Sequence, residues 1–298
     1  MVRMTPSAPS SFLGLGIGKM TVGTQLRLLL KRSEFFLIFC LMMFLSMGQF
    51  LFNCVGQYGQ TTLDVLSSDQ LFICRDSTGV LGYILPYILP IVITIPFVDT
   101  YLSDRLNGTL PVYLTRTKTK TYYFSKLFVV AISAMIVVFV PFILNYLLGL
   151  IAFPSDSINY FGNLSTDQSQ YYAEYLNYVL FPALFIRNPN LYNLLFLVLL
   201  TVFLGIAAVL VYQISFYIKK SRILLLCTFF ILNDVLVLLS NLFMNDKGVS
   251  FAPMDYFFPA SVTNGKHAWM LLVFFSVLLG AVCLLIPGNL KKLNELLE

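Results

Sequence analysis

Long apolar stretches, each free of Lys, Arg and Glu, alternate with polar, charge-bearing connections along this 298-residue chain. Six of them (35–53, 77–98, 127–155, 188–218, 223–245 and 268–290) approach or exceed the ~20 residues that a helix needs to cross ~30 Å of hydrocarbon. The fifth contains one acid, Asp234. Lipid offers backbone groups no hydrogen-bond partner, so each stretch is expected to be helical. The third and fourth outrun a bilayer, and their ends should emerge or tilt. The sixth begins beside Trp269 and is expected to end near Pro287, while Pro86, Pro90 and Pro96 invite kinks in the second. Ahead of the first crossing, Val22, Leu26, Leu29 and Leu30 share one helical face and Arg27 and Lys31 another. That pattern predicts an amphipathic helix on the inner membrane surface, the alternative being a solvated basic arm.

Composition agrees with the pattern. Hydrophobic residues make up 58% of the chain and charged residues 11%, against about 25% charged in a soluble domain, and the mean hydropathy is +0.82. Disorder, a collagen-like chain, a disulfide-rich secreted mini-protein and a soluble nucleic-acid binder carrying the +5 charge are all excluded. The expected fold is an all-α polytopic membrane protein with six transmembrane helices, an N-terminal amphipathic surface helix and both termini cytoplasmic. In this division 1–33 is the cytoplasmic N-terminal segment, 34–290 the transmembrane domain and 291–298 a cytoplasmic tail.

Charge supplies the orientation. Of the nineteen Lys and Arg residues, fifteen fall in the N-terminal segment, the 99–126 connection, the 219–222 turn and the tail. Only Arg75, Arg187, Lys247 and Lys266 fall on the other side, among eight acids. Cytoplasmic segments are the basic ones, so the chain is expected in the cell membrane with a net acidic outer face. No cleavable signal peptide is expected, because 1–18 lacks a continuous apolar core. The external connections are then 54–76, 156–187 and 246–267. Tyr171, Tyr175 and Tyr178 predict a short interfacial helix in the second of these, and Phe251, Tyr256, Phe257 and Phe258, punctuated by Pro253 and Pro259, form an apolar cluster in the third. The cluster is either a cap over the helices or a re-entrant element covered by protein. Cys54 and Cys74 share the first external loop, where a bridge worth about 3 kcal/mol is chemically allowed and free thiols are the alternative.

Catalytic motifs are wanting. His267 is the one histidine, which excludes a His-Glu-x-x-His zinc site. Gly14, Gly16, Gly18 and Lys19 fall short of a phosphate-binding loop, with Met20 where Ser or Thr is required. The chain is not expected to be an enzyme, to bind a metal or cofactor, or to hydrolyse ATP itself. Polar residues inside the apolar stretches, Gln49, Asn53, Asn145, Asn233 and Asp234, are the candidates for a substrate pathway, since an aspartate near mid-membrane costs ~2.5 to 3.5 kcal/mol on insertion scales.

The 99–126 connection has an ordered pattern. Asp104-Arg105 precedes Gly108-Thr109, five largely apolar residues lead to Thr115-Arg116, and Tyr122-x-x-Ser125-Lys126 enters the third crossing. These residues predict a short helix, a turn at glycine and a second short element. Together with six crossings and a surface helix ahead of the first, the pattern resembles the membrane subunits of type 2 ATP-binding-cassette exporters. The resemblance implies that Asp104, Arg105, Gly108, Thr109 and Arg116 couple to a separate ATPase subunit. It also implies that ATP and Mg are bound in that partner and that a second permease half, identical or not, completes one pathway among membrane lipids. The expected function is outward movement of an amphipathic substrate, best a peptide. The alternatives are an ATP-independent secondary transporter or channel using Asp234, and a non-transporting immunity or sensor protein.

Overall fold

The computed structural model describes residues 22–60, 65–75, 80–154, 180–218, 221–243, 250–258 and 268–296. Among these all regular structure is helical: α1 (Val22–Leu30), α2 (Ser33–Gly56), α3 (Val80–Val92), α4 (Thr100–Leu106), α5 (Leu110–Arg116), α6 (Thr119–Ala152), α7 (Pro182–Arg187), α8 (Pro189–Ile214), α9 (Arg222–Phe243), α10 (Pro253–Phe257) and α11 (Trp269–Glu295). Five helices, α2, α6, α8, α9 and α11, are long and apolar enough to cross a membrane, and a shorter apolar helix covers Leu81–Val92. The architecture is that of a multi-pass membrane protein. The expected tyrosine helix at 171–178, the glycine run at 14–19 and His267 lie outside the described residues.

The core is built on α6 and α8, which pack along each other and bury the largest shares of their apolar windows. Gly205 of α8 allows their close approach, because a Cβ there would stand 2.6 Å from Met135 Cε. An open apolar groove of about 360 Å³ runs along the outer side of this pair, between Ile136, Phe139 and Val140 of α6 and Val198 and Val202 of α8. The 34-residue α6 is about 51 Å long, well beyond the hydrocarbon thickness. It starts at Thr119, eight residues before the apolar stretch, so the Tyr122–Lys126 motif is its first turns and not a loop leading to it.

Three expectations are corrected. The second apolar stretch is not one helix. α3 spans 13 residues, about 20 Å, and the chain then turns through 93–99, because Pro96 supplies no donor and disfavours helix in the residue before it. Ile93, Thr94, Phe97 and Val98 are buried in this turn, and Thr94 Oγ1 donates to Leu226 O of α9, so protein covers the irregular backbone. Pro287 does not end the last helix: α11 continues to Glu295, which makes Lys291 and Lys292 helical and not part of a loose tail. α1 is a helix, but it is seated on α6 with Gln25 and Leu29 buried, whereas Leu30, expected on the apolar face, is exposed. Residues 251–258 fold as a protein-covered element. Phe257 stacks on Phe203 of α8 at 4.4 Å, Tyr256 meets Phe274 of α11 at 5.3 Å, and Ser250 Oγ bonds Asp255 at 2.6 Å.

Candidate functional site

At the end of the bundle that carries α4 and α5, the residues expected to bind a partner divide by direction. α4 and α5 form a hairpin turned at Gly108, whose φ of +68° is left-handed and suits glycine. Thr109 N–H and Oγ1 both donate to Asp104 O, closing the turn. Arg105, Leu106 and Asn107 are exposed at its tip, and Val112 and Arg116 are exposed on α5. Asp104 turns inward instead. Its carboxylate pairs with Lys126 and accepts from Tyr122 Oη at 2.7 Å, fastening α4 to the first turns of α6. Lys126 is 2% exposed and lies over the Tyr122 ring. Burial, with the Asp104 charge adding to it, raises the Tyr113 phenol above its ordinary value and keeps it protonated on the same face.

A second ion network, absent from the sequence candidates, braces the base of the hairpin. Asp99 is buried between two guanidinium groups, Arg32 at 2.8 Å and Arg222 at 2.7 Å, and Arg222 also reaches Glu34 at 3.1 Å. Arg32 lies over the Phe97 ring. Four charges thus join the starts of α2 and α9 to the turn between α3 and α4. Two cations around one buried carboxylate meet the condition under which charge is tolerated in a protein interior. These residues were visible in the sequence only as topogenic charges, because their pairing spans up to 188 positions.

The opposite end is closed by the segment 65–75. Leu71, Phe72, Ile73 and Cys74 are all buried between α2, α6 and α8, and Phe72 meets Tyr146 edge-on at 5.5 Å. Three of the pathway candidates hold this plug. Asn53 Nδ2 donates to Leu71 O at 3.0 Å, Gln49 Nε2 donates to Asn53 Oδ1 at 3.2 Å, and Asn145 Oδ1 accepts from Ile73 N–H at 3.3 Å while its Nδ2 donates to Ser46 O at 2.9 Å. Asn193 adds a bond to Asp69 O at 2.8 Å. Asp69 pairs with Arg75, whose guanidinium lies 4.5 Å from the Phe185 ring centroid. Cys54 and Cys74 are both free thiols, so the allowed bridge is not formed. Cys74 is instead buried in the plug, and desolvation raises its thiol pKa far above the ordinary range.

Asn233 and Asp234, the other two pathway candidates, sit apart on α9. Asn233 belongs to the buried stripe Leu225, Phe229 and Asn233, and the Oδ1 atoms of both Asn233 and Asp234 are shielded without a hydrogen-bond partner among the described residues. Those residues also hold no group of three His, Cys, Asp or Glu side chains able to bind a metal.

Comparison with family models, curated proteins and solved structures found no match.

Proposed function

We propose that the chain is the membrane-spanning permease subunit of an ATP-driven exporter, crossing the cell membrane six times with both termini and the α4–α5 hairpin in the cytoplasm. A separate ATPase subunit grips the hairpin tip, and a second permease half completes the pathway for an amphipathic cargo, best a peptide. One observation carries this: a protruding hairpin with an exposed basic and apolar tip, braced by ion pairs to α6 directly and to α2 and α9 at its base. A tip built this way can be pushed without bending, and displacement at Leu106 reaches three membrane helices at once. α3 makes the sixth crossing, with the buried turn 93–98 completing the depth that its short helix lacks. Closure of the opposite end by the plug corresponds to a state shut towards the outside, from which ATP-driven motion would open the pathway.

The test is co-reconstitution with cassette ATPases purified from the same cell. Arg105→Glu combined with Leu106→Asp should leave the amount of permease in the membrane unchanged and abolish its stimulation of ATP hydrolysis. Unaltered stimulation and cargo export in that variant would refute docking at the tip.

A further inference from the structure

We propose that the α3–α9 interface holds a binding site for a compact monovalent cation midway through the membrane, ligated by Asp234, Asn233 and backbone oxygens of α3. The site goes beyond the exporter proposal and stands without it.

Two side-chain oxygens define it. Asn233 is 2% exposed, and both its Oδ1 and Asp234 Oδ1 are buried with no hydrogen-bond partner among the described residues. Adjacent polar groups left unpaired inside an apolar interface call for an occupant that donates to oxygen. α3 supplies further oxygens at the same depth. Proline lacks the N–H that would otherwise bond the carbonyl four residues earlier. Pro86 therefore leaves Gly82 O without its helical donor, and Pro90 leaves Pro86 O without one. The register is fixed by the bond from Thr94 Oγ1 to Leu226 O. α3 and α9 run in opposite directions, and counting equally back from Thr94 and forward from Leu226 brings Pro86 level with Asp234. Leu85, Leu89 and Val92 form the buried stripe of α3, and α9 is the helix against which α3 makes its main packing. Asn233, the residue before Asp234, continues the buried stripe of Leu225 and Phe229 on α9.

Charge selects the ligand class. Asp234 is the single acid of its apolar stretch, so one positive charge makes the site neutral and a divalent ion would leave an excess in hydrocarbon. Oxygen-only ligation with unwound or proline-freed carbonyls suits a hard monocation, either sodium or the primary ammonium of an amine-bearing molecule. The sodium case would make the site a coupling-ion site. The ammonium case would give the exporter a cationic amphipathic cargo.

The experiment uses the full chain alone in nanodiscs of phosphatidylcholine and phosphatidylglycerol, lipids without a primary amine. Thermal unfolding is followed while N-methylglucamine is replaced at constant ionic strength by sodium in one arm and by butylammonium in the other. Saturable stabilisation is expected in at least one arm, and which arm responds identifies the source. Asp234→Asn should abolish it. Pro90→Ala restores a donor to Pro86 O, so it should raise the unfolding temperature without ligand and weaken cation affinity about tenfold, opposite signs that a merely structural role would not give. No stabilisation in either arm, or stabilisation that persists in Asp234→Asn, overturns the proposal. Because no ATPase is present, either result leaves the docking test untouched.

Discussion

Asn145 does two jobs with one carboxamide: its oxygen accepts from the plug and its nitrogen donates to α2. Asn145→Leu keeps the number of side-chain heavy atoms, orphans Ile73 N–H and strips Ser46 O of its second, interhelical bond, which should cost ~1 to 3 kcal/mol for the buried N–H left unpaired. The plug carries its own reporter in Cys74, a buried thiol whose raised pKa makes it inert. An impermeant maleimide should leave Cys74 unmodified in the native chain and modify it in Asn145→Leu. Equal inertness in both would show that the hydrogen bonds do not hold the plug. Gly205 is the other residue on which local packing turns. Gly205→Val would drive a branched side chain into Met135 and should destabilise the α6–α8 pair by ~1 to 3 kcal/mol, read as a lowered unfolding temperature.

For whole elements, the decisive feature is how a seven-residue helix is held at a fixed angle to a 34-residue one. α4 is too short to be stable alone, so its order comes from its attachments. The Asp104–Lys126 pair is buried on the lysine side and partly covered on the acid side. Removing one partner leaves an uncompensated charge, which costs ~3 to 5 kcal/mol for a buried pair, whereas removing both is far milder. Lys126→Met should therefore raise amide exchange across 100–117 sharply, and adding Asp104→Asn should restore much of the protection. Additive loss in the double variant would mean that the pair does not carry the attachment. The sequence made the hairpin legible through Gly108 and the apolar spacing, and it marked Asp104 as special. It did not show that Asp104 faces inward. Lys126 and Tyr122 lie 22 and 18 positions away, and only the early start of α6 brings them under α4.

Across the whole molecule, charge and apolar length define the two ends of the bundle. If the hairpin end is cytoplasmic, a cysteine placed at Arg116 should be closed to impermeant reagents in sealed cells, and one at the exposed Tyr58, beyond the far end of α2, should react. The reverse pattern would invert the protein and remove the cytoplasmic partner. Legibility at this scale was uneven for physical reasons. Five long helices follow from hydropathy because hydrocarbon forces helix formation wherever the chain spans it. α3 escaped that rule, since Ile93, Thr94, Phe97 and Val98 of the turn that follows it are buried in protein. The pathway candidates were singled out for the cost of polar groups in hydrocarbon; three of them are spent on the plug and two lie elsewhere on α9.

The sequence by itself determined that this is a helical membrane protein with a basic end and a turned hairpin there, because hydrophobic length, charge placement and glycine conformation act locally. Tertiary structure alone decided which charges pair, that the first loop folds back as a plug with unbridged cysteines, and which polar groups remain unsatisfied. Those outcomes depend on side chains separated by tens to hundreds of positions meeting in space, where burial turns an ordinary charge or amide into one that must find a partner.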